Sequence, residues 1–369
     1  MLLPRTLARS IAAEVLVFAA IGFIAFIAIL LVQNVAQRLQ ELVAVGMSFA
    51  DASAVVFHLV GMVAPYAVPV GFLFGVLAAV GRLSADSEVT AMRACGLGLG
   101  AIFGPVLAIA FALALLTALL MIRVEPASRR DLREVLANVA SRGAIFEPGR
   151  FRNVGGRVLY VQSRDVDDES VLKRIFIADR TNPKRPFLIF AQSARFRFDP
   201  EQMQIHLEMS SGDIHLETLD LSDHQRISFA ELDYTLDAST ILEATRRLKP
   251  SEMDLSELYD VMDDPPSPEV GRMPSQFQAH FHRRLAIPFA PFVFAALGVP
   301  LALRRSRAAR SWGVLVCIVL VGAYYSLLGF GQYLGENGRV PAVIALWMPN
   351  LVFALAAIPL LRSAQRGTA

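Results

Sequence analysis

Six stretches of this chain run without a charged residue: Val15–Gln37, Ala52–Gly81, Leu97–Ile122, Leu285–Leu303, Ser311–Gly335 and Val340–Leu361. A helix needs roughly 20 apolar residues to cross about 30 Å of hydrocarbon, so each stretch predicts a membrane-spanning helix. The shortest, Leu285–Leu303, has 19 residues, and the longest leave room for tilt. The first is longer than a signal-peptide core and lacks a small-residue cleavage site, so it reads as a retained anchor. Between the third and fourth stretches the period changes from helical to two. In Gln204-Ile205-His206-Leu207-Glu208-Met209 the apolar residues take one face and the polar ones the other. Asp213-Ile214-His215-Leu216-Glu217 repeats the alternation after Ser210-Ser211-Gly212, so the two runs predict a hairpin. Arg195-Phe196-Arg197-Phe198 alternates before Asp199-Pro200, and runs near 157–163, 173–179, 187–193 and 225–236 add further strands. About eight short strands with close turn signals predict an antiparallel sandwich or open barrel. Its apolar face carries Phe196, Phe198, Ile205 and Leu207, and is either buried core or the lining of a groove for an apolar ligand.

These patterns predict an α-helical membrane protein, three spans before and three after an inserted β-domain. The expected boundaries are 1–122 for the first three spans, 123–245 for the β-domain, 246–280 for a connector and 281–369 for the last three spans. The connector holds an acidic helical stretch around Asp254–Met262, then Asp264-Pro265-Pro266-Ser267-Pro268, which suits neither helix nor strand.

Composition agrees. Of 369 residues, 54% are hydrophobic and 18% charged, and the mean hydropathy is +0.48. A soluble domain carries nearer a quarter of its residues charged. A net charge of +2 is too small to make nucleic acid a partner. Orientation follows from the basic residues of the short loops. Arg5, Arg9, Arg82, Arg93, Arg304, Arg305, Arg307, Arg310, Arg362 and Arg366 fall on one side, and only Arg38 and Arg339 on the other. Ten against two predicts that both termini are cytoplasmic and that the β-domain is external.

Most catalytic chemistry is missing. The chain has three lysines, Lys173, Lys184 and Lys249, and none completes a phosphate-binding loop. The patterns H-E-x-x-H and G-x-S-x-G are absent too. Gly96-Leu97-Gly98-Leu99-Gly100 opens a span, and Gly96, Gly100 and Gly104 predict close helix packing rather than phosphate binding. Cys95 and Cys317 offer neither a disulfide framework nor a metal cluster. His206 and His215 could face each other across the expected hairpin, but on its solvated face. No metal, no cofactor and no enzymatic activity of its own are expected.

The loop between the second and third spans, Gly81 to Gly96, carries the most information. Ser84 is placed to cap a helix of about ten residues, with Asp86 and Glu88 in a first turn whose dipole favours anions. Gly96 stands at its end. Such a helix near 84–96 is either an amphipathic connector at the interface or a docking element for a basic partner.

Ala85 through Gly100, with Ser87, Glu88, Thr90, Met92, Ala94, Cys95 and Gly96, resembles the coupling helix of the LptF/LptG permease family, whose LptF branch reads S-E-x-T-x-M-x-A-C-G. The resemblance continues at Arg5 and Arg9, at Phe281-His282-Arg283-Arg284-Leu285-Ala286-Ile287-Pro288 and at Gly298-Val299-Pro300-Leu301, and the layout matches over essentially the whole chain. It implies a permease subunit of the ABC exporter that extracts lipopolysaccharide from the Gram-negative inner membrane. The implied partners are an LptB-like cytoplasmic ATPase dimer, an LptG-like second permease, and LptC-like and LptA-like periplasmic bridge proteins. The docking role then falls to Asp86, Ser87, Glu88, Met92 and Arg93. The β-domain is then a periplasmic jellyroll, with Phe196, Phe198, Ile205 and Leu207 toward lipid, and the first and fifth spans are lateral gates. The exit of the first span departs from the family. Where basic residues commonly meet lipid phosphates, this chain has Gln33, Asn34 and Gln37, leaving Arg38 and Arg339 for that role. The rival expectation is a membrane-anchored scaffold whose β-domain binds a partner protein and moves no lipid.

Overall fold

The computed structural model describes residues 5–44, 49–141, 148–149, 151–154, 157–165, 168, 170–179, 181, 186–199, 204–217, 224–237, 249–263, 274–303 and 310–366. Arg304, Arg305, Arg307, Lys184, Pro200 and the Asp264–Pro268 segment lie outside the described residues. All six expected spans are helices long and apolar enough to cross a membrane: Thr6–Ala36, Phe49–Ala85, Gly100–Val135, Pro274–Leu303, Gly313–Glu336 and Ala342–Gln365. An antiparallel sheet is inserted between the third and fourth. The chain divides into two compact units, residues 1–36, 56–131 and 249–369, and residues 37–55 and 132–248.

In the helical unit, α1 (Arg5–Ala44) packs on α2 (Phe49–Ala85). Ile11, Val15 and Ala19, spaced by four, form its buried stripe. Opposite them stand glycines. A Cβ on Gly75 would lie 2.5 Å from the Val15 carbonyl oxygen, and one on Gly71 2.7 Å from that of Ala19. Only glycine lets two helix backbones approach so closely. The glycines expected to pack, Gly96, Gly100 and Gly104, do not: a Cβ on any of them would meet open space. Among the described residues, nothing packs within 4 Å of that point on any of the three. In the fifth span, Gly331 makes such a contact, against Ala345, whereas Gly322 and Gly329 face open space.

A short helix, α3 (Glu88–Ala94), joins α2 to α4 (Gly100–Leu119), which passes through a π-helical turn at Leu120–Val124 into α5 (Glu125–Ser141). After the sheet come α6 (Leu255–Asp263), as the acidic stretch predicts, then α7 (Pro274–Ala286) and α8 (Ala290–Leu303), which together make the fourth span. The break between α7 and α8 is a 3-10 turn containing Pro288, where the Ala290 N–H bonds Ile287 rather than Ala286. The freed Ala286 carbonyl accepts from the Asn350 side chain at 2.9 Å. Asn350 in turn accepts from the Tyr324 hydroxyl at 2.9 Å. Within a membrane such substitutes are obligatory, since no water reaches the freed group. The last spans are α9 (Arg310–Glu336) and α10 (Ala342–Gln365).

Among the described residues the β-unit is one sheet of six strands, each antiparallel to the next: β1 (Phe151–Val154), β2 (Arg157–Arg164), β3 (Val171–Asp179), β4 (Phe187–Asp199), β5 (Gln204–Glu217) and β6 (His224–Asp237). The expected hairpin at Ser210-Ser211-Gly212 is not formed. β5 runs straight through, paired along its length with β4 and β6. His206 and His215 therefore lie on one strand, His206 beside Thr235 and His215 edge-on to Phe190. Likewise the separate runs 187–193 and 195–198 are both β4.

One row explains both mergers. The ladder passes over Gln162, Arg174, Gln192, Ser211 and Ala230, one residue per strand. Arg174 and Ser211 are left-handed there, with φ of 54° and 53°. At this row the inward positions change phase, from Ile189 and Ala191 to Ala194 in β4, and from buried Leu207 and Met209 to half-buried Ile214 in β5. These all join one apolar cluster. The row is a crease. Asp179 shares a row with Phe187, Leu216 and Gln225, nine residues along β6 from Tyr234. On a flat sheet that offset is roughly 30 Å. Yet the Tyr234 hydroxyl donates to Asp179 at 2.7 Å, so the sheet folds over and its halves enclose the cluster.

Candidate functional site

The loop near 84–96 differs in detail from its expectation. α2 continues to Ala85, so Ser84 is helical rather than a cap, and its hydroxyl lies 3.5 Å from the Leu303 carbonyl. α3 starts at Glu88 and has seven residues. Ser87, the residue before it, is left-handed with φ 59° and gives no side-chain cap. That left-handed residue turns the chain sharply out of α2. The other end follows the sequence reading: Gly96, with φ 80°, closes a Schellman motif. In it the Gly96 N–H bonds the Arg93 carbonyl and the Leu97 N–H that of Met92, both at 2.9 Å.

The expected docking residues fall together here. Glu88 and Asp86 have about half their side chains exposed, and both face Arg82, whose Nη1 lies 3.0 Å from Asp86 and 3.5 Å from Glu88. Val89 is buried, with Met92 packed on the main apolar cluster. Arg93 donates to the Ala364 carbonyl at 3.2 Å. The helix is thus bound to its own chain by an apolar side and holds its carboxylates outward.

The lipid-facing candidates divide. Backbone pairing sets Phe196 opposite Leu207 and Phe198 opposite Ile205. Leu207 is fully buried inside the folded sheet. Phe196 is half-buried with the Arg164 guanidinium over its ring. The side chains of Phe198, Ile205 and Arg38 lie outside the described residues. Arg339 is exposed above the Tyr333 ring, in the loop after the fifth span. An open cavity of about 900 Å³ occupies the sheet's other face, floored by Phe151, Tyr160, Phe176 and Phe190.

The pattern reading missed one group. Glu125, wholly buried at the end of the π-helical turn, is met by three guanidiniums. It is hydrogen-bonded to Arg129, 3.5 Å from Arg283 and 3.7 Å from Arg284. Arg284 also donates to the carbonyls of Ser251 and Met253, which ties the chain after the sheet to the fourth span. Arg283 reaches Gln332 of the fifth span at 3.2 Å. A signal for this cluster exists in the sequence. Glu125 is the first acid after the third apolar stretch, and Arg283-Arg284 directly precede the fourth.

Two sets of three spans, an inserted folded sheet, and a charged helix slung between the second and third spans define a multi-pass membrane protein of the permease class. The profile of the family described as lipopolysaccharide export system permease LptF/LptG matches residues 9–363, and the chain belongs to that family. It is similar to the lipopolysaccharide export system permease protein LptF of Escherichia coli (strain K12), 25% identical over 299 residues, covering 79% of this chain and 77% of that one. The LptF of Shigella flexneri gives the same identity and coverage.

Proposed function

We propose that this chain is an LptF-like permease subunit of the exporter that lifts lipopolysaccharide out of the Gram-negative inner membrane. The observation that carries this reading is the family match along nearly the whole chain, with the quoted docking motif lying on a separate helix. A dimer of LptB-like ATPases grips Asp86, Ser87, Glu88, Met92 and Arg93 from the cytoplasm. An LptG-like permease completes the lipid cavity. The first and fifth spans are the gates against it, a role supported by how little of them this chain covers: 11% and 22% of their most apolar stretches are buried. Both termini are cytoplasmic, and the β-domain is periplasmic. There it hands acyl chains past Phe196, Phe198, Ile205 and Leu207 to LptC-like and LptA-like proteins, while Arg38 and Arg339 meet lipid phosphates. The domain boundaries at 122, 245 and 280 belong to this proposal.

The test is purification of the tagged chain from its native membrane in mild detergent, with mass spectrometry of what accompanies it. An ABC ATPase, a second six-span permease and lipid A species are expected. Recovery of the chain with neither ATPase nor lipid sinks the proposal and favours the scaffold. Glu88→Arg is expected to lose the ATPase while the chain stays inserted.

A further inference from the structure

We infer that Arg82 is a positioning residue that links the docking helix to the first membrane span. The inference rests on the docking role proposed above and extends it to how motion leaves the docking site.

Arg82 stands in the last turn of α2, at the root of the loop. Its guanidinium is forked. One side closes on Glu14 of α1, through Nε with Oε1 and through Nη2 with Oε2 at 2.6 Å. The remaining nitrogen, Nη1, faces Asp86 at 3.0 Å and Glu88 at 3.5 Å. One cation therefore joins a carboxylate of the first span to both carboxylates of the docking element. A planar fork suits this task as a lysine ammonium does not, because two donors fix direction as well as distance. Glu14 lies next to Val15, whose carbonyl is the close neighbour of Gly75. Around this point α1 meets α2 along the stripe of Ile11, Val15 and Ala19, while Leu16, Val17, Ile21 and Ile24 stay exposed. A pull on Asp86 and Glu88 thus reaches α1 at its cytoplasmic end. The far end of α3 is tied separately, by Arg93 to Ala364 of the last span. Displacing the helix therefore acts on the first and last spans together, and the first is the less covered of the two.

The Arg82 guanidinium is about half exposed, although Glu14 is mostly covered, and an ion pair open to solvent on one side contributes little to folding, so its loss should show more in coupling than in stability. The experiment uses the whole exporter, purified with its ATPase and second permease and reconstituted in lipid vesicles containing lipopolysaccharide. ATP hydrolysis and ATP-driven lipid release are measured side by side. Arg82→Gln and Glu14→Gln each cut the link from opposite ends. Both are expected to keep the ATPase bound and hydrolysis near the wild-type rate while lipid release falls about tenfold, within the usual range of couplings between linked sites. Arg82→Lys, which keeps the charge but not the fork, is expected to leave thermal unfolding unchanged and to recover release only in part, whereas a merely structural site would lose stability in step with release. Lipid release unchanged in both glutamine variants overturns the inference, as does loss of ATPase binding in step with release. If the unaltered complex carries no ATPase or releases no lipid, the proposed function fails instead.

Discussion

Asp179 sits where the two halves of the folded sheet meet, and its charge is held there by three donors. Arg157 Nε and the Tyr234 hydroxyl each donate to Oδ2 at 2.7 Å, and the Thr181 N–H to Oδ1 at 2.9 Å. Burial pushes its pKa up, but the bonds from Thr181, Arg157 and Tyr234 more than reverse this and bring it from 3.8 to about 2. The folded carboxyl is thus the stronger acid. Its stabilisation is complete above the ordinary value and is lost as pH falls toward about 2. Asp179→Asn should therefore lower stability by about 1–3 kcal/mol at neutral pH, the cost of a charged hydrogen-bonded group. Thermal unfolding in detergent at pH 7 and at successively lower pH checks it: the gap between variant and parent should close between about pH 4 and pH 2. A gap that persists unchanged to the lowest pH would mean that the charge is not what holds the halves. Glu125 is the contrasting case, since Arg129 hydrogen-bonds it while the Arg283 and Arg284 guanidiniums stand 3.5 and 3.7 Å away.

The helices could be read from the sequence because a bilayer demands long uncharged runs, and nothing else in the chain resembles one. The sheet could be read only in part. Period-two alternation locates β2 to β6, yet the crease makes β4 read as two separate runs and β5 as a hairpin. A strand that changes phase at Gln192 or Ser211 looks, in sequence, like two strands with a turn between them. β1 is short and its alternation is weak, and it was not anticipated. The residues proposed for docking stand in a motif legible in the sequence, but the start of α3 does not, because Ser87 adopts a left-handed conformation that sequence favours in glycine or asparagine. Helix contacts were the least legible, since glycine content does not say which face meets a neighbour. The structure separates them. Gly75→Leu should force α1 from α2, because its Cβ would stand 2.5 Å from the Val15 carbonyl oxygen, whereas Gly100→Leu projects into open space. The temperature at which half the detergent-solubilised protein survives should fall clearly for the first and hardly move for the second. Equal losses would show that α4 is covered on that face as tightly as α2.

At the scale of the whole molecule, orientation decides whether the docking helix can meet an ATPase at all, because ATP is on one side only. The basic residues of the short loops are the reason we propose that α3 and both termini face that side. The chain carries its own reporters, with only two cysteines: Cys95 is exposed at the end of α3 and Cys317 is buried in the fifth span. A membrane-impermeant maleimide should leave Cys95 untouched in spheroplasts and label it in inside-out vesicles. Phe151→Cys, at a position 67% exposed on β1, should give the reverse. Adding the ATPase to inside-out vesicles should then slow labelling of Cys95, since it lies one residue beyond the docking helix. Labelling of Cys95 from the outside would invert the molecule. It would remove α3 from any cytoplasmic partner and leave the sheet on the wrong face to pass lipid outward.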